Sequence, residues 1–148
     1  MTDLPFYLIA FAVVLGVLII VHELGHYFAA RWCGVKVLRF SIGFGPVLWQ
    51  KKMGRDATEW AVSAFPLGGY VKMLDEREAE VPSAELHRAF NRQGVGKRSL
   101  IVAAGPLANF ALAILLYWAV FIYGTNELLP VLGTPPEVSP AAAAAIRN

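Results

Sequence analysis

The sequence is short of cysteine and of charge, and charge is missing altogether from two long stretches. Its single cysteine, Cys33, excludes an intrachain disulfide and a cysteine-built zinc site. What remains for it is the part of a small residue at a helix end. Charged residues make up 16% of the 148 and hydrophobic ones 57%, whereas soluble domains carry roughly 25% charge. The net charge of +2 singles out no class of partner. Its placement says more: twelve of the 13 Lys and Arg lie between Arg31 and Arg98, with seven acids among them. Acids and apolar residues mixed through that stretch exclude the basic stripe of a nucleic-acid binder, so no nucleic-acid partner is expected.

The charge-free runs are Leu4 to Val21 and Ser99 to Tyr123. A bilayer core of about 30 Å takes about 20 apolar residues in a helix, so transmembrane helices are expected over 4–31 and 99–123. A cleaved leader would begin with basic residues; this chain begins with Asp3 and has no Lys or Arg before Arg31. Gly105-Pro106 interrupts the second run, and the regular helix is expected to start or kink there. The Lys and Arg excess places the loop 32–98 in the cytoplasm and both termini across the membrane. Tyr117, Trp118 and Tyr123 suit an interfacial belt.

Within the loop, residues 32–75 read as β. Val47-Leu48-Trp49 and Trp60-Ala61-Val62 flank a turn at Met53-Gly54-Arg55-Asp56, and residues 59–64 alternate with a period of two. Residues 76–98 read as a polar cytoplasmic linker, with a short helix over Ser83 to Phe90. The Pro- and Ala-rich stretch 124–148 reads as a tail leading into a further domain. The expected fold class is therefore a mainly α membrane protein, with two transmembrane helices joined by a cytoplasmic loop that contains a β-hairpin.

His22-Glu23-Leu24-Gly25-His26 carries the chemistry. Residues four apart stack on one helix face, about 6 Å along the axis, so two imidazoles there can share one Zn²⁺. Glu23 points about 100° away from His22. That position suits a general base acting on a zinc-held water rather than a third ligand. Gly25 removes bulk beside the site, where a neighbouring element can approach. The composition gives about 0.003 chance matches to this spacing, and ionisable groups inside a span are functional by default. His22 precedes Arg31 by about 13 Å of helix, which puts the metal within the membrane, nearer the cytoplasmic face.

The pattern resembles the site-2 protease family of intramembrane zinc metalloproteases. The likeness rests on the His-Glu-x-x-His of the first span, Phe40-Ser41-Ile42-Gly43-Phe44-Gly45-Pro46, Phe65-Pro66-Leu67-Gly68-Gly69-Tyr70-Val71-Lys72-Met73, and Ala104-Gly105-Pro106-Leu107-Ala108-Asn109-Phe110. It covers nearly the whole chain. The resemblance implies hydrolysis of peptide bonds in membrane-spanning substrates such as anti-sigma factors, at a bacterial inner membrane with both termini periplasmic. It makes Phe40 to Met73 a membrane-re-entrant hairpin whose edge holds unwound substrate. It also puts Gly68, Gly69, Tyr70 and Asn109 on the substrate side. A helix–helix hydrogen bond is the plainer reading of Asn109.

The family's third zinc ligand, an aspartate in a Leu-Asp-Gly motif on a later span, has no counterpart here. Asp75 follows Leu74 in a polar loop and is followed by Glu76, and His87 reads as a surface histidine. The later spans and PDZ domains are expected to be missing too, so the chain alone is expected to bind zinc weakly and to lack full activity. The alternative is a non-catalytic membrane module that binds a partner through its hairpin edge.

Overall fold

Two 29-residue helices frame a β-unit in the computed structural model, which describes residues 3–124. The tail expected over 124–148 lies, apart from Gly124, outside the described residues. Helix α1 spans Leu4–Trp32, with Pro5 in its first turn, where a missing N–H costs nothing. It stops at Gly34, whose φ of +83° is open to glycine. The Gly34 N–H donates to Arg31 O and the Val35 N–H to Ala30 O, which satisfies the last carbonyls. The Lys97 ammonium adds a bond to Cys33 O at 3.0 Å, a cation at the negative end of the helix.

Helix α2 spans Val95–Tyr123 and contains Pro106 in its interior. It neither starts nor stops at Gly105-Pro106: the proline removes a single backbone bond, and the flanking turns carry the helix through. Hydropathy windows in α1 and α2 average 2.9 and 2.1, with 0% and 11% of their residues buried. The core helix of a soluble protein would be covered by its own protein. These two are apolar, uncovered, and long enough to cross a bilayer.

Strands β1 (Val37–Met53) and β2 (Thr58–Met73) form an antiparallel two-stranded sheet joined by a turn at 54–57. The register is more involved than that of a plain hairpin. Residues Arg39 to Ile42 pair with Lys72 to Gly69 along one edge and with Glu59 to Val62 along the other. Glu59 to Val62 also pair with Lys52 to Trp49. Both strands therefore bend and their halves lie side by side. β1 turns at Gly43 and Gly45, with φ of +87° and +86°, and β2 turns around Phe65 to Gly68. Within β2, Ala61 and Ser63 are buried, whereas Val62 is exposed.

The core sits where α1 ends and α2 begins. Ala29, Ala30, Cys33, Val35, Val37 and Ile101 are buried together, with Tyr27, Val71, Met73, Phe90 and Ala104 packed around them. Cys33 thus holds the small, buried helix-end place expected of it. Tyr27, Phe40 and Trp60 make an aromatic cluster that seats the sheet on α1, with ring centroids 4.5 to 5.8 Å apart. The stretch beyond β2 is pinned by backbone bonds from Leu74 N to Lys36 O, Phe90 N to Leu74 O and Lys36 N to Arg88 O. Its helical parts are short 3-10 turns, Ser83–Arg88 and Phe90–Arg92. The described residues up to Leu116 form one compact unit, and the rest of α2 belongs to a second.

Candidate metal centre

His22 and His26 occupy one face of α1 and bring their Nε2 atoms to 3.2 Å of each other. Two nitrogens that share a tetrahedral zinc at about 2.0–2.1 Å stand about 3.3 Å apart. The pair already has that spacing. His26 Nδ1 lies 2.7 Å from the carbonyl oxygen of Ile101. A carbonyl only accepts, so Nδ1 carries the proton and Nε2 presents its lone pair, which is the arrangement that metal-binding imidazoles need.

Gly105 of α2 faces both rings. A Cβ at this glycine would fall 2.7 Å from His22 Nε2 and would collide outright with His26 Nε2. Lack of a side chain therefore keeps clear the volume beside both nitrogens. Among the described residues no group of three or more His, Cys, Asp or Glu could hold a metal, and His22 and His26 stand as a pair. Glu23 is not drawn in as a third ligand. Asp75 is buried, and its carboxylate is taken by Arg77 through the backbone N–H, Nε and Nη2 at 2.9, 2.9 and 2.5 Å. That guanidinium holds the Asp75 carboxyl below the usual carboxylate range. A carboxylate so engaged has nothing left for a metal.

α2 approaches α1 closely enough for this because Gly25 is small: a Cβ there would run into the Ala104 carbonyl and lie 2.8 Å from Ala108 Cβ. The helices run antiparallel, with His22 beside Asn109, His26 beside Ile101 and Cys33 beside Lys97. Small residues at a crossing let membrane helices approach closely.

On one side of the pair, Leu15, Leu18, Ile19, His22, Glu23, Phe44, Leu67, Gly68, Gly69 and Asn109 line an open cleft of about 400 Å³. α1, the bent sheet and α2 all contribute to it. Gly69 abuts Glu23, since a Cβ there would lie 2.8 Å from Glu23 Cγ and 2.8 Å from Ser41 O. Phe44 lies against Gly68 and stacks on Tyr70 at 6.2 Å. Tyr70 itself does not line the cleft, and its hydroxyl accepts from Arg39 Nη1 at 3.2 Å. His26 opens instead on a second cleft of about 360 Å³, whose rim carries Lys72, Asp75, Arg77 and Glu78.

The structure thus gathers His22, Glu23, Gly68, Gly69 and Asn109 around one opening and leaves Tyr70 out of its lining. Gly105 and the Ile101 carbonyl escaped the sequence reading. The signal for Gly105 was its spacing of four from Asn109 on α2, matching the spacing of His22 and His26 on α1.

The sequence model of peptidase family M50 matches residues 10–145. The chain belongs to peptidase family M50. The likeness to site-2 proteases read from its motifs is thereby borne out. The regulator of sigma-E protease RseP of Salmonella typhimurium is 55% identical over 139 residues, covering 93% of this chain and 30% of that protein. Its Escherichia coli K12 counterpart is 54% identical over 141 residues, covering 94% and 31%. A Vibrio cholerae protein with a provisional zinc-metalloprotease name is 52% identical over 145 residues, covering 98% and 31%. This M50 chain therefore spans about a third of the length of the curated relatives it matches.

Proposed function

We propose that the chain carries the larger part of the active centre of an intramembrane zinc metallopeptidase. The convergence of His22 and His26 Nε2 at 3.2 Å, beside a cleft that also holds Glu23, carries this reading. His22 and His26 would hold the zinc, with a third protein ligand from outside the described residues. A zinc ion held there would supply an activated water, its pKa brought to about 7. Glu23, packed against Gly69, is the residue that would accept a proton from such a water and pass it to the leaving amine.

The substrate is a membrane-spanning protein, held extended against the bent sheet. Gly68 and Gly69 let its backbone come close, Asn109 meets it from α2, and Tyr70 acts through the Phe44 ring on which it stacks. A transmembrane helix hides its peptide bonds, so an extended stretch is a condition for cutting. The bend of the sheet, opposite the 54–57 turn, is the part that would enter the membrane. Phe44, Leu48, Phe65 and Leu67 are exposed there, and Phe44 and Leu67 share the cleft with Leu15 and Ile19 of the apolar helix. The regulator of sigma-E protease names of the relatives support an anti-sigma factor as substrate. The location is a bacterial inner membrane, and the Lys and Arg excess of residues 31–98 favours a cytoplasmic loop and periplasmic termini.

Glu23→Gln in the intact protein tests this. Cleavage of a membrane-spanning reporter is expected to fall at least about 100-fold, the lower range for loss of general acid–base catalysis, with zinc content unchanged. Cleavage that survives the substitution would sink the peptidase reading and leave the partner-binding module in its place.

A further inference from the structure

Asn109 has a polar atom that the function above does not explain. Its Nδ2 stands 3.4 Å from His22 Nδ1, while its Oδ1 is buried with no hydrogen-bond partner among the described residues. The two ends of an amide differ only by a half-turn about the last side-chain bond, and which end faces a partner follows from the surrounding hydrogen bonds. Those bonds can be traced from the far end. Ile101 O accepts the Nδ1 proton of His26, so His26 Nε2 is an acceptor. Without a cation, His22 must donate its Nε2 proton across the 3.2 Å gap, because two facing lone pairs would repel. His22 Nδ1 is then an acceptor, and the Asn109 N–H serves it.

With a cation between the rings, both Nε2 atoms must present lone pairs. The His22 proton then sits on Nδ1 and needs an acceptor. Among the described residues Asn109 is the one hydrogen-bond partner of that nitrogen, and only its Oδ1 can accept. We propose that Asn109 is a positioning residue for the metal site, whose amide turns with metal occupancy: it donates to His22 Nδ1 in the metal-free protein and accepts from it in the metal-bound protein. The turn exchanges which amide group lacks a protein partner, and it leaves the NH₂ for a carbonyl oxygen of bound peptide. This rests on the zinc reading above and adds to it a role that operates before any substrate arrives.

The test is zinc affinity of the intact protein in detergent without substrate, measured by chelator competition for the wild type, Asn109→Leu, Asn109→Asp and His22→Ala. Leucine can neither donate nor accept, and a carboxylate only accepts. Asn109→Leu is expected to weaken zinc binding about 10- to 100-fold, the usual loss when the partner of a metal-bound histidine is removed. Asn109→Asp is expected to keep or tighten it. A ¹⁵N-histidine spectrum provides a second readout: a slowly exchanging Nδ1–H of His22 in the zinc-bound wild type and aspartate variant, absent from the leucine variant. If leucine disturbs folding, seen in the helical circular dichroism of the metal-free protein, Asn109→Ala takes its place. Wild-type affinity in the leucine variant, or an aspartate variant as weak as leucine, overturns the inference. Zinc binding that ignores Asn109 but needs His22 would overturn this inference alone. Zinc binding that ignores His22 as well would overturn the metal reading, and this inference with it.

Discussion

At the scale of single residues, two glycines set the geometry, and for both the helix or strand preference points the wrong way. Replacing glycine by alanine inside a helix ordinarily stabilises by about 1 kcal/mol. At Gly105 the added methyl would press into His26 Nε2 and His22 Nε2. Gly105→Ala is therefore expected to keep α2 helical yet lose tight zinc binding, read by metal content after dialysis; retained stoichiometric zinc would contradict the assigned geometry. At Gly69 the methyl would meet Glu23 Cγ and the Ser41 backbone oxygen. Glu23 is the part that can move, so Gly69→Ala is expected to spare zinc and reduce cleavage on the order of 100-fold, the effect of displacing a catalytic group by about 1 Å. A kcat drop with unchanged metal content is the signature to look for.

At the scale of elements, the sheet is fixed to α1 by a charged clasp as well as by aromatic packing. Asp56, in the turn between β1 and β2, bonds Arg31 of α1 at 3.3 Å and Arg88 of the following 3-10 turn at 2.8 Å, and its side chain is only 12% exposed. One carboxylate thus ties three elements together. Asp56→Ala strands two guanidinium groups, so a loss of about 1–3 kcal/mol is expected, read as a lower Tm and as new proteolytic cutting at 54–57. An unchanged Tm would mean that the aromatic cluster of Tyr27, Phe40 and Trp60 holds the sheet unaided. Arg39 and Glu59, 2.6 Å apart, lie on neighbouring halves of the doubled sheet, which a plain hairpin would not bring together in this way.

At the scale of the whole molecule, the apolar helices and the charged base respond to different conditions. Arg77 holds Asp75 below the usual carboxylate range, and Arg92 does the same for Glu76, helped by Asn91. A depressed folded-state value means a contribution fully present above the unfolded values of about 3.9 and 4.3; it is lost as pH falls through the lower folded values. Hydrogen-exchange protection across residues 75–93, corrected for intrinsic rate, is expected to be level from pH 7 to about 5 and to fall below about pH 4. Loss of protection already between pH 7 and 6 would mean that other groups hold the loop. Topology has its own test. In a Cys33→Ser background, a cysteine at the exposed hairpin-tip Lys52 is expected to react with a membrane-impermeant thiol reagent only when the cytoplasmic face is open. One at Val14, on the exposed apolar face of α1, is expected to stay unlabelled from either side.

Much of this protein is legible in the order of its residues, because local periodicity determines it. Two charge-free runs are long enough to span a bilayer, and the four-residue spacing of His22 and His26 must put both rings on one face. Family membership was also open to reading, since several separate motifs agree in order. Tertiary structure alone decided how the second helix meets the first. Only the crossing at Gly25 and Ala104 puts Gly105, the Ile101 carbonyl and Asn109 against the two imidazoles, and contacts between residues about 80 positions apart leave no local pattern. The doubling of the sheet was hidden for the same reason. Alternation within residues 59–64 reports a pleat, but it is silent on which other stretches lie along the two edges.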